Sequence, residues 1–390
     1  MSRNIVTLLG AGASVDAGAP TSVGLVNSIQ ILLQRDPRLR RIFDFVVAGC
    51  SMKEAWTQSG QANIEDVANA VSALRYRRTS ELAPFVSGWH PFLEGLLSQL
   101  PHSEQAVDHL ASLLQRQFVL ASEGRTDTLH MDWFNFSVNV IKCTKEQTPV
   151  EPDLVDLAKK LPYLTAQALT NSIDRSKTSY LRHLAKLSAS TDGSGVIATL
   201  NYDNALEYAF DDAFVSYCDG VEHWQNHGEI ASNRNELLLL KLHGSVNWQR
   251  DNEHRLTRLE PGEVARRPDI VFGGHNKMRA DGPYLPLLWA WRSALLEADT
   301  LLVVGYSFSD PHINSLIEEW LVRHPRAGSE RIIHVVTYAR NEASDLECKL
   351  IEARDGMLPS TWAADIRVQV SLGTAKELLG KVVSDLISTP

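Results

Sequence analysis

A glycine-rich stretch, Gly10-Ala11-Gly12-Ala13-Ser14, directly follows the apolar run Ile5-Val6-Thr7-Leu8-Leu9. The run is partly β-branched and too short for a helix, so it reads as a buried strand. Glycine lets a backbone turn sharply and approach a ligand with no Cβ in the way. A helical pattern resumes at Val23 to Ile29. Strand, glycine turn and helix start together make a corner whose N–H groups can receive a phosphate. A nucleotide is the natural ligand class, and an ordinary tight βα turn is the alternative. The dinucleotide fingerprint is incomplete, because Val15 stands where its third glycine belongs. The acidic residue expected about 20 positions on is also missing. Asp36 comes too late, in an Arg-rich segment. The pattern therefore excludes an ordinary dehydrogenase unit.

Three further polar segments end, or directly follow, apolar runs: Thr199-Leu200-Asn201-Tyr202-Asp203, Lys241-Leu242-His243-Gly244-Ser245 and Gly305-Tyr306-Ser307-Phe308-Ser309-Asp310. His243 suits a general base, since imidazole titrates near neutral pH. Asn201 can accept and donate hydrogen bonds at once, so it can hold a water and a hydroxyl. Each also has a bland reading. His243 can be a satisfied strand-end histidine, and Asn201 and Asp203 can form a turn or cap. Asp310-Pro311-His312 reads as a cap for the helix that follows. Trp248, Trp289 and Trp291 read as core.

These segments need a scaffold. Strand-like runs occur at Asn4 to Leu9, Gly195 to Thr199, Leu237 to Leu242, Asp269 to Phe272, Thr300 to Val304, Arg331 to Thr337 and Ile366 to Val370. Most are apolar without alternation, as in parallel strands covered on both faces. Helical patterns intervene at Tyr284 to Ala298, His312 to His324, Glu342 to Ala353 and Ala375 to Ile387. The alternation predicts an α/β fold, a doubly wound parallel sheet. In such sheets ligands bind at the carboxyl ends of the strands, where the four polar segments fall. Between the first two strands the chain carries helix-period apolar positions instead. They are Ile64, Val67, Ala68, Val71 and Leu74; Val107, Leu110, Leu113 and Leu114; and Leu154, Leu157, Leu161 and Leu164, the last set interrupted by Pro162. This predicts one domain over 1–390 with an inserted helical subdomain at 28–190. Ser188 to Ser194 reads as the loop returning to the sheet.

Composition narrows the function. The 390 residues are 44% hydrophobic and 22% charged, as a packed globular chain should be. The net charge of −9 disfavours autonomous nucleic-acid binding. The basic clusters Arg35 to Arg41 and Arg266-Arg267 read as solvated loops. Cys50, Cys143, Cys218 and Cys348 lie far apart with no CxxC pair, which argues against a zinc ribbon and suits a reducing cytoplasm. No signal peptide or membrane span is visible.

The four segments in this order, GAGAS, TLNYD, LHGS and GYSFSD, resemble the NAD-binding domain of sirtuins. They are most similar to the divergent bacterial sirtuin-like proteins of antiphage defence, which hydrolyse NAD. The resemblance covers about 1–27 and 190–340, and Asn63-Ile64-Glu65-Asp66 in the insert is similar to a segment of that branch. It implies a sirtuin-like Rossmann-type fold and NAD as substrate, with Asn201 and His243 catalytic and no metal. It also implies that Gly10, Ala11, Gly12 and Ser14 cradle the pyrophosphate, and that Gly305 and Ser307 hold the adenosine side. Asp203 would contact the nicotinamide carboxamide or tune the charge. Sirtuin deacylases follow the glycine loop with Gly-Ile-Pro-x-Phe-Arg; here Gly18-Ala19-Pro20-Thr21-Ser22-Val23 lacks the Phe-Arg. Their glutamine before the asparagine is Leu200, and their four-cysteine zinc module is missing. The expectation is an NAD glycohydrolase that depletes NAD as an antiphage effector. It would be a homo-oligomer with a separate partner such as a HerA-type ATPase. The alternatives are an NAD- or ADP-ribose-binding regulatory subunit, or an ADP-ribosyl transferase or deacylase.

Overall fold

A computed structural model describes residues 4–57, 61–76, 150–189, 195–232, 236–251, 253, 255–272, 281–322, 331–338 and 366–388. Ten strands occur among them: β1 (Ile5–Leu9), β2 (Val196–Thr199), β3 (Tyr217–Cys218), β4 (Leu237–Lys241), β5 (Gly244–Arg250), β6 (Leu256–Arg258), β7 (Pro268–Ile270), β8 (Thr300–Val304), β9 (Arg331–Thr337) and β10 (Ile366–Leu372). The chain divides into two compact units, Met1–Thr21 with Leu169–Pro390, and Ser22–Ala168. The expected insert of 28–190 differs from the second unit at both ends. Residues 169–190, placed in that insert by the sequence reading, belong to the unit that holds the sheet.

That unit is built on a seven-stranded sheet in the order β10-β9-β8-β1-β2-β4-β3, and every adjacent pair runs parallel. β1 is central. The chain extends the sheet to one side through β2, β4 and β3, then to the other through β8, β9 and β10. The topological switch point therefore lies around the carboxyl end of β1.

Both faces are apolar, as a doubly wound sheet requires. Because successive side chains point to opposite faces, Val6 and Leu8 join one cluster while Ile5 and Leu9 join the other. Leu287, Trp291 and Leu295 of the helix Tyr284–Glu297 cover the first face, with Ile313, Ile317 and Trp320 of the helix Pro311–Val322. The second face packs on Tyr180, Leu181 and Leu184 of the 3₁₀ segment Arg175–Leu184, Phe210 of the helix Ala205–Asp212, and Leu379 and Val383 of the helix Ala375–Ser388.

Several local expectations change. Asp269 to Phe272 is not a strand of the parallel sheet. Pro268–Ile270 pairs antiparallel with β5, which also pairs with β6, in a separate three-stranded sheet. A short apolar run carries no signal for which sheet it joins. β3, β5 and β6 lacked the apolar run that marks a buried strand. Trp248 and Trp291 are core, but Trp289 is 66% exposed, stacked by Arg292. The expected helix Glu342 to Ala353 and the apolar positions Val107 to Leu114 lie outside the described residues.

The second unit contains the helices Ser22–Leu32, Pro37–Thr57 and Ile64–Tyr76, and most of Val150–Ser172. Ile64, Val67 and Val71 form the buried stripe of the third helix, whose start Asn63 caps by accepting the Asp66 N–H. Pro162 lies inside the last helix and does not end it. It removes one backbone bond, while Leu154, Leu157, Leu161 and Leu164 stay buried around it. The Arg35 to Arg41 cluster is not a solvated loop. Arg38 pairs with Asp153 and Asp156, Arg41 with Asp153, and Arg40 with Asp44 one helical turn on.

Candidate functional site

The four polar segments meet at the switch point. Gly10 N–H donates to Val304 O at 2.9 Å and Gly12 N–H to Gly305 O at 2.8 Å, tying the first segment to the last. The Asn201 amide donates to Gly10 O at 2.9 Å and to Ser14 Oγ at 3.0 Å. Ser14 Oγ donates in turn to Asp203 Oδ1 at 3.2 Å. That carboxylate oxygen also accepts the Ala205 N–H, so Asp203 serves the site and the following helix together. Tyr180, from the 3₁₀ segment beneath, donates to Ala13 O at 2.6 Å and pins the glycine loop.

The glycines have a reason the sequence did not suggest. A Cβ on Gly305 would lie 2.4 Å from Gly12 C and 2.3 Å from Ala13 N, and Gly305 itself has φ +61°. The two loops touch backbone to backbone. The N–H groups of Gly10, Gly12, Ala13 and Ser14 all bond to main-chain carbonyls. These four N–H groups are held by the two loops themselves. Ala11 is exposed on the loop, and Ser307 is exposed with its hydroxyl bonded to Ser309.

His243 stands where the chain leaves one sheet for the other. Its carbonyl accepts the Val271 N–H, and Gly244, at φ +85°, turns the backbone into β5. A Cβ at Gly244 would fall 2.1 Å from Asp269 O, so only glycine fits there. The imidazole is buried, with Nε2 3.2 Å from Asp310 Oδ2. The other oxygen, Oδ1, accepts the His312 N–H, so Asp310 does cap its helix as expected. Its second role was not legible, because nothing local links residues 67 positions apart.

Sequence reasoning also missed a buried polar cluster beneath the site. Lys241 Nζ donates to Glu207 Oε1 and to Asp203 O, both at 2.6 Å. Asn204 Nδ2 donates to Glu207 at 2.8 Å, and Ser245 Oγ donates to Asn247 Oδ1 at 2.7 Å. A lysine ending the apolar strand LLLLK was the available signal. Burial pushes the Asp203 carboxyl above the usual carboxylate range, and Glu207 adds to this. Lys241, the Ala205 N–H and Ser14 act against it.

A separate cavity of about 710 Å³ lies at the β3 edge, lined by Tyr217, Asp219, His223, Trp248 and Arg258 among others. None of its lining residues is among Gly10–Ser14, Thr199–Asp203, Lys241–Ser245 or Gly305–Asp310. Among the described residues, no group of three or more His, Cys, Asp or Glu could hold a metal ion. None of the described helices is long and apolar enough to cross a membrane.

With this geometry in view, residues 195–355 match the SIR2-like domain family. The matched stretch holds the second, third and fourth polar segments; the glycine loop precedes it. No curated protein matches the chain. Among solved structures the chain is similar to a Sir2 homolog–NAD complex, at 12% identity, TM-score 0.40, covering 98% of this chain and 88% of that one. It is similar to a Sir2 homologue mutant in complex with ADP ribose, at 12% identity and TM-score 0.39, covering 98% and 91%. A third is Sir2Af2 bound to a myristoylated histone peptide, at 14% identity and TM-score 0.31, covering 58% and 79%.

Proposed function

We propose that this chain is an NAD glycohydrolase, converting NAD and water to nicotinamide and ADP-ribose. The observation that carries the reading is the hydrogen-bonded meeting of four strand-end segments at the switch point, with Asn201 and His243 in two of them. The SIR2-like match over 195–355 supports it.

In this scheme water attacks ribose C1′ as the bond from C1′ to the nicotinamide nitrogen breaks. The bonding electron pair neutralises the pyridinium, and the water gives its proton to His243. Both Asn201 amide protons are directed at Gly10 O and Ser14 Oγ, so Oδ1 is the atom that would accept from the water or a ribose hydroxyl. The glycine loop with Ser14 would lie along the pyrophosphate. Gly305 and Ser307 would meet the adenosine side, and Asp203 the carboxamide. No step uses a metal ion.

The wider role follows from the resemblance of the motifs: a cytoplasmic antiphage effector, homo-oligomeric, held silent until a separate partner such as a HerA-type ATPase releases it. The test is nicotinamide release from NAD by the purified chain, alone and with its genomic neighbours, in EDTA. Release supports the reading. Retained NAD with no nicotinamide under any of these conditions overturns it in favour of a binding subunit.

A further inference from the structure

The pairing of His243 with Asp310 joins two polar segments that no backbone bond links directly. Both side chains are at least 95% buried, and Nε2 lies 3.2 Å from Oδ2. The other ring nitrogen, Nδ1, is buried and has no hydrogen-bond partner among the described residues. A neutral imidazole carries one proton, and a hydrogen bond from one nitrogen decides where it sits. A carboxylate accepts only, so the proton belongs on Nε2 and the lone pair on Nδ1.

The loop that presents Asp310 is held firmly. The Tyr306 hydroxyl accepts the Asp310 N–H at 3.1 Å and donates to Asn314 Oδ1 at 2.9 Å. Asn314 Nδ2 donates to Phe308 O at 2.7 Å. Phe308 has φ +56°, a left-handed conformation that is costly for an aromatic residue. Asn314 thus holds the carbonyl of this strained residue two positions before Asp310.

We propose that Asp310 is a positioning residue for His243: it takes the Nε2 proton in hydrogen bond, so that Nδ1 is the atom that accepts the proton from the attacking oxygen. The charge that develops on the ring is then shared with the carboxylate. This rests on the glycohydrolase reading for the reaction, but the pairing itself can be tested without turnover. Among the described residues, Asp310 is the charged group within ion-pair distance of the ring. Tyr202 is the titratable ring beside it, with centroids 6.3 Å apart. On the strand before it, Lys241 is already engaged by Glu207.

The experiment uses the full chain labelled with ¹⁵N-histidine, its His243 signals identified by their loss in His243→Gln. The wild type should show Nε2 protonated and Nδ1 bare in its neutral ring. In Asp310→Asn, whose Oδ1 keeps the helix cap, the amide NH2 faces Nε2, so the ring proton should move to Nδ1. A proton on Nδ1 in the wild type, or an unmoved proton in Asp310→Asn, overturns the proposal. In nicotinamide release, Asp310→Asn should lose ~10²–10⁴-fold in kcat, with KM for NAD little changed. Asp310→Glu should recover part of the loss. Wild-type kcat in Asp310→Asn would overturn the catalytic part. If no form of the enzyme releases nicotinamide, the glycohydrolase reading falls while the histidine spectra still decide the pairing.

Discussion

Lys241 and Glu207 form an ion pair at 2.6 Å with side chains only 2% and 7% exposed, directly under the loop that carries Asn201 and Asp203. The lysine also holds the Asp203 carbonyl. Burying two charges is unfavourable in itself, and removing one partner strands the other. Lys241→Met should therefore lose about 3–5 kcal/mol in urea unfolding. The double variant Lys241→Met with Glu207→Leu should recover much of that. Equal stability of single and double variants would show that the pair is not what the fold depends on.

Gly305→Ala should be strongly destabilising. Its Cβ would meet the backbone of Gly12 and Ala13 at 2.3–2.6 Å, and the residue sits at φ +61°. Overpacking costs about 1–3 kcal/mol, before any backbone strain is added. Thermal melting checks this; an unchanged midpoint would mean that the two loops do not touch.

Asp203→Asn should raise thermal stability at neutral pH while lowering activity. Burial holds the Asp203 carboxyl above its ordinary range in the folded chain. A raised acid contributes stability below its unfolded pKa and loses it as pH rises through the folded value. At neutral pH the charged form is therefore a burden that asparagine removes. The melting advantage should amount to about 2–4 °C for each kcal/mol regained, and should fade as the pH drops towards the carboxylate range. An advantage that grows on acidification would reverse the argument.

Asn201→Ala and His243→Gln should each reduce nicotinamide release by at least ~10²-fold. Glutamine at 243 can still donate to Asp310, so that buried carboxylate keeps a partner and melting should move little. If either variant unfolds, its residue is structural; if both remain active, the catalytic assignment is wrong.

Light scattering should show a mass well above the 43.3 kDa of one chain. The apolar stripes of the insert's described helices are buried within the chain itself, but Ile31 and Tyr163 stay exposed on them, and a second subunit could cover these. Charged substitutions at Ile31 and Tyr163 should lower the mass. A monodisperse monomer at micromolar concentration, unchanged by any partner, would end the oligomer proposal.

The class of this fold was legible because burial on both faces leaves a mark in composition. Ile5 to Leu9, Leu237 to Lys241 and Thr300 to Val304 are apolar at nearly every position, and each is a fully buried strand. The positions of Asn201, His243 and Gly305 were legible for the same reason, since each follows such a run. The edge strand β3 and the short strand β6 were not, because two- and three-residue strands have no periodicity to read. Nor was Pro162 a helix end: the leucines packed around it outweigh one missing hydrogen bond.

What the sequence determined by itself is local: which runs must be buried, where the chain can turn, and which side chains could move a proton. Which of those side chains meet was decided by tertiary structure alone. Asp310 announced itself only as a cap, and Lys241 only as an odd charge at a strand end. Their partners His243 and Glu207 are 67 and 34 residues away, and only the parallel order of the strands brings them within 3.2 Å and 2.6 Å. The glycines at 12 and 305 likewise looked like room for a ligand. Each is needed because the other's backbone fills that room.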